Sequence, residues 1–134
     1  MEQVTFDSEY LTGHDDIDKQ HKFLVTFINS TIKEVSEGKN IDINTLDKLI
    51  HFAKLHFNTE EELMIVINYP DLKEQETEHL ALLENLEIFR NRLKENKVSS
   101  QSILMFLRNW FNNHTKTTDY KLAKYLKSIT KETK

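Results

Sequence analysis

Apolar residues recur at three- and four-residue intervals along most of the chain, in four runs separated by short polar breaks. That period gathers apolar side chains on one face of a helix. The first run starts near Asp15 and extends to about Ser36, with Ile17, Leu24, Ile28, Ile32 and Val35 as its stripe, and "EGKN" with Gly38 stops it. The second opens at "DINT", where Asp42 or Asn44 can cap, and follows Leu46, Leu49, Ala53 and Leu63 to about Ile67. "NYPD" punctuates next. Pro70 suits the first turn of a third helix that continues to about Lys94, buried along Leu72, Leu82, Leu86, Phe89 and Leu93. After "ENKVSS", Ser99 or Ser100 can cap a fourth, whose stripe holds Ile103, Leu107, Trp110 and Tyr125. Four helices of similar length with short connections predict an all-α, up-down-up-down antiparallel four-helix bundle.

Composition narrows the chemistry more than the fold. The 134 residues are expected to form a single domain, 1–134, and two Gly and one Pro leave few turn makers. There is no Cys, which excludes disulfides, thiolate zinc sites and cysteine-ligated iron–sulfur clusters. Any metal must be held by nitrogen and oxygen. A net charge of −4 with mixed signs provides no basic stripe for nucleic acid. "MEQVTFDSEYLTGHDD" lacks a positive region and an apolar run, and no stretch approaches the ~20 apolar residues of a spanning helix. The expectation is a cytoplasmic protein without membrane or nucleic-acid partners, monomeric in its simplest form.

Polar residues interrupt the apolar stripes where they should be most dry. His21 lies on the first, His56 and Glu60 on the second, Gln75 and His79 on the third, and His114 on the fourth. One buried His is ordinary. Four on converging stripes, with a carboxylate, cost several kcal/mol unless something satisfies them, and a metal does. Imidazole and carboxylate without sulfur suit iron, zinc or manganese, and a carboxylate able to bridge suggests two metals. His56 and Glu60, four apart, can serve one centre. Asp119 follows His114 by five, off the same face of an ideal helix, so joining that centre needs a longer reach or a π-type distortion. Glu61 and Glu62 read as a solvated acidic patch, and His14 and His51 as surface or rim residues. Phe27, Phe57, Phe89, Phe106 and Trp110 read as core.

Together, "IDKQHKFL" (17–24), "HFNTEEELM" (56–64), "YPDLKEQETEH" (69–79) and "WFNNHTKTTDYKLAKYL" (110–126) resemble the hemerythrin family in its single-domain bacterial form. The resemblance spans nearly the whole chain in family order. It implies two oxo- or hydroxo-bridged iron ions and O2 as a reversibly bound ligand. His79 and His114 then fall to one iron, His21 and His56 to the O2-binding iron, and Glu60 and Asp119 bridge, which accounts for the five-residue spacing. Leu24, Phe57 and Trp110 would line an apolar O2 pocket; Asp18, three before His21, reads equally as a support for that His or as an exposed first-turn Asp favoured by the helix dipole.

The chain departs from the family at Gln75, where the motif normally has a His. Gln75 could coordinate through its carbonyl, hold a water, or sit as a tolerated core amide. Three functions stay open at this point: a reversible O2 carrier, store or sensor; a di-iron protein that turns over peroxide or handles iron through the position at Gln75; and a metal-free or mononuclear helical interaction module.

Overall fold

The computed structural model describes residues 3–5 and 11–132, so residues 1–2 and 6–10 of the N-terminal stretch read for a targeting signal lie outside the described residues. The chain forms α1 (Asp15–Ser36), α2 (Ile43–Val66), α3 (Leu72–Lys94) and α4 (Ser100–Asn113). A π-helical segment, His114–Asp119, then leads directly into α5 (Tyr120–Glu132). The last three are the predicted fourth helix in three pieces, and the architecture is the expected four-helix bundle. Helix α1 packs on α2 and α4, and α2 on α3.

The ends of these helices follow from their local chemistry. Three connections close alike: Gly38, Asn68 and Asn96 adopt positive φ, and the next residue's amide bonds back five residues. These bonds are Lys39 to Glu34 (3.0 Å), Tyr69 to Met64 (2.9 Å) and Lys97 to Arg92 (2.8 Å). This termination satisfies carbonyls that the helix leaves bare. Of the candidate caps, Asp42 accepts from the Thr45 amide (2.8 Å) and Ser99 from the Ser102 amide (3.1 Å). Ser100 is spent elsewhere, accepting from the Ile41 amide at 2.9 Å and so tying the α1–α2 loop to the start of α4.

Two expectations need correction. Pro70 lies in the turn before α3 rather than in its first turn. Tyr69 is buried, packing with Ile17, Met64 and Leu122, and this anchors the chain before the helix can begin. His14 is no idle rim residue: its Nδ1 caps α1 by accepting from the Ile17 amide (3.3 Å). His51 is exposed as expected.

The core has two parts. The larger runs from Leu24, Ala53, Leu82 and Phe111 towards the loops at one end, and the smaller gathers Ile17, Met64, Tyr69 and Leu122 near the other. The inward polar residues fall at or near the boundary between these two clusters: His21 between Ile17 and Leu24, Glu60 between Phe57 and Met64, His79 between Tyr69 and Leu82, and His114 between Phe111 and Leu122.

Candidate metal centre

None of His21, His56, Glu60, Gln75, His79, His114 and Asp119 is more than 2% exposed. Each helix brings its share through ordinary α periodicity except the last. At 3.6 residues per turn, a residue five positions on is rotated by roughly 140° and would face away. The π segment begins at His114 and ends at Asp119; its i→i+5 bonding turns both inward. Thr115, buried beside them, donates to the Phe111 carbonyl (2.7 Å).

The two carboxylates order the imidazoles into pairs. Glu60 Oε1 lies 2.8 Å from His56 Nε2 and 3.5 Å from His21 Nε2. Its Oε2 lies 3.1 Å from His79 Nε2 and 3.8 Å from His114 Nε2. Asp119 repeats the arrangement, with Oδ2 2.9 Å from His21 Nε2 and Oδ1 3.2 Å from His114 Nε2. Each carboxylate therefore gives one oxygen to each side. The donors form two groups, His21, His56, Glu60 and Asp119 in one and Glu60, His79 and His114 in the other, with ligand atoms within 4.8 Å of one another.

Two residues that the sequence reading passed over orient this set. His56 Nδ1 donates to Gln20 Oε1 (2.7 Å), and the Gln20 amide donates to Thr59 (3.1 Å). His114 Nδ1 donates to Glu78 Oε1 (2.9 Å), and the Thr118 hydroxyl donates to the same carboxylate (3.0 Å to Oε2). Both bonds leave Nε2 facing the centre. Gln20 precedes His21 and Glu78 precedes His79, and each reaches a His on another helix. The available signal was a polar residue adjoining a stripe His, rotated about 100° towards the neighbouring helix. Asp18 does something else. Its carboxylate accepts from the Thr12 amide (2.7 Å) and hydroxyl (2.8 Å) and from the Gly13 amide (3.1 Å), so it organises the segment before α1. Of the acidic patch, Glu62 is exposed as expected, whereas Glu61 is half-buried, its Oε2 3.9 Å from His79 Nδ1.

Electrostatics show what the pocket wants. Burial opposes the charged form of His21, but Asp119 and Glu60 outweigh it and hold its pKa up at about 10. His114 behaves alike: burial disfavours its charge, and Asp119, Glu60 and Glu78 raise it well above the usual range. Burial works against the Glu60 carboxylate too, yet the surrounding imidazoles hold it well below its ordinary value. Asp119 is penalised by burial and by Glu60, and is held low by His114 and His21. Protons here occupy the place of cations. Glu60 Oε1, both Asp119 oxygens and His114 Nε2 are buried with only ion-pair contacts among the carboxylates and imidazoles, and Gln75 Oε1 is buried without a hydrogen-bond partner. Such atoms are costly unless charge or coordination satisfies them, so the donor set fits a pair of divalent cations.

The surroundings differ on the two sides. Phe57 stacks on His79 (ring centroids 3.9 Å) and Trp110 on His114 (4.5 Å). A small apolar cavity of about 20 Å³, room for roughly one water-sized particle, is lined by Leu24, His56, Phe57 and Trp110 among others. Gln75 lies in the neighbouring part of the site. Its amide nitrogen donates to the Thr118 carbonyl in a long bond of 3.4 Å.

A family model described as the hemerythrin HHE cation binding domain matches residues 12–126. Myohemerythrin of Theromyzon tessulatum is 30% identical over 120 residues, 90% of this chain and 91% of that protein. Bacteriohemerythrin of Stenotrophomonas maltophilia is 23% identical over 129 residues, 96% of this chain and 84% of that one. A crystal structure of wild-type hemerythrin superposes with a TM-score of 0.81 at 24% identity, covering 92% of this chain and 97% of that chain.

Proposed function

The chain belongs to the hemerythrin family, and on that footing we propose that it is a non-haem di-iron protein that binds O2 reversibly, with an altered donor at Gln75. The observation that carries this reading is the placement of Glu60 and Asp119, each with one oxygen towards His21 and the other towards His79 or His114. Two carboxylates so disposed suit a bridged pair of metals and have no evident use around one. In the proposed assignment His21 and His56 hold one ion, and His79 and His114 the other. Gln75 offers its unpartnered carbonyl oxygen to the second.

When bound, the iron pair supplies the two electrons that a reversible reduction of O2 requires. The rest is done by the chain. Gln20 and Glu78 set the direction of two imidazoles and, by accepting their Nδ1 protons, strengthen them as donors. Leu24, Phe57 and Trp110 wall the cavity beside His56 and keep it apolar, so that a diatomic gas can enter where bulk water is not stabilised.

Iron analysis and visible spectroscopy test the proposal. Anaerobic Fe(II) loading is expected to leave about two irons per chain, and O2 to produce a visible band that bleaches on deoxygenation. Fewer than one iron per chain overturns the di-iron reading. The buried, unpartnered Gln75 oxygen favours a second reading, peroxide turnover or iron handling at that side of the site. Rapid irreversible oxidation or peroxide consumption by the loaded protein selects it.

A further inference from the structure

All six imidazole and carboxylate donors are essentially closed to solvent, so a metal ion needs a way in. The apolar cavity at His56 is a poor one, because a dication loses its hydration there with nothing in exchange. A second pocket, of about 120 Å³, is lined by Tyr69, Asp71, Glu74, Gln75, Glu78 and Thr118. Gln75, 2% exposed, is its most buried member, and its carbonyl oxygen has no hydrogen-bond partner.

The pocket's charge is that of a cation vestibule. Asp71, Glu74 and Glu78 face one opposing ammonium, Lys121. Asp71 stands at the start of α3, yet makes no capping hydrogen bond there, which leaves its carboxylate to the pocket. Glu78 joins the pocket to the centre directly, since its other contact is His114 Nδ1.

Resting on the di-iron reading above, we propose that this pocket is the loading port of the centre. A hydrated divalent cation is captured by Asp71 and Glu74, exchanges water for the Gln75 carbonyl oxygen, and passes to His79 and His114. Oxygen donors of this kind, held weakly and on one side only, suit transit rather than storage. No covalent or redox change accompanies the transfer.

Stopped-flow loading of the metal-free protein with anaerobic Fe(II) tests the port. The sequence contains one Trp, Trp110, and its stacking on His114 makes its fluorescence a reporter of arrival. The double variant Asp71→Asn, Glu74→Gln is expected to load roughly three- to tenfold more slowly, as for removal of a focusing field, and to reach the same final iron content as the unaltered protein. Lys121→Gln is expected to load faster. A control carrying Glu34→Gln and Glu37→Gln, exposed residues at the far end of α1, matches the charge change away from the pocket and is expected to load at the unaltered rate. An unchanged rate in the double variant, or equal slowing in the control, overturns the port while leaving the di-iron reading intact. Failure of the unaltered protein to take up iron overturns that reading first.

Discussion

His114 and Asp119 are five residues apart yet bring Nε2 and Oδ1 to within 3.2 Å of each other in the same buried centre. The π segment that joins them makes this possible. It also places Thr118 where its hydroxyl supports Glu78 and its carbonyl receives Gln75. One local departure from α geometry therefore sets three features of the site.

Gln75→His places an imidazole at the proposed altered donor position. The expected outcome is higher iron occupancy and slower autoxidation, read by metal analysis and by the rate at which the oxygenated spectrum decays. No change in either would remove Gln75 from the metal's surroundings.

Glu78→Gln keeps an oxygen that can accept the His114 Nδ1 proton but removes the charge that strengthens the imidazole. Metal affinity is expected to fall about tenfold, the lower end for loss of such a supporting group. Competition with a chelator of known affinity measures it, and an unchanged far-ultraviolet circular dichroism spectrum would show that the fold survives. An unchanged affinity contradicts the supporting role.

Leu24→Phe fills the cavity beside His56, which holds only about 20 Å³. The O2 association rate is expected to fall at least tenfold, measured by flash photolysis or rapid mixing, with iron content retained. Overpacking should cost about 1–3 kcal/mol in stability. A normal association rate would place gas entry elsewhere.

The metal-free protein should show a pH dependence with two edges. The folded pKa of His21, about 10, lies above its ordinary 6.5, so its stabilisation is complete below pH 6.5 and is lost as pH rises through about 10. Glu60 and Asp119 lie below their ordinary 4.5 and 3.8, so their stabilisation is complete above those values and is lost as pH falls through the lower folded ones. Urea midpoints should therefore be highest between about pH 4.5 and 6.5, the interval those ordinary values bound. A profile flat from pH 6.5 to 10 would contradict the assignment. In weakly buffered solution at pH 7, metal uptake should also release about two protons, from His21 and His114.

The four apolar stripes, the helix breaks at Gly38 and before Ser99, and the level at which His21, His56, Glu60, Gln75, His79 and His114 interrupt the apolar faces are all legible in the sequence. Those features are written in a 3.6-residue period, which assigns each residue to a face of its own helix. The folded structure alone set which carboxylate oxygen meets which imidazole, that a π segment turns Asp119 inward, that Gln20 and Glu78 cross to His56 and His114, and that Gln75 borders a carboxylate-lined pocket. It also decided that Asp18 and His14 serve the chain entering α1 rather than the centre. Periodicity carries no information about the rotation and register of one helix against another. Those are set by packing between helices, and a hydrogen bond across a helix interface exists only once that packing is made.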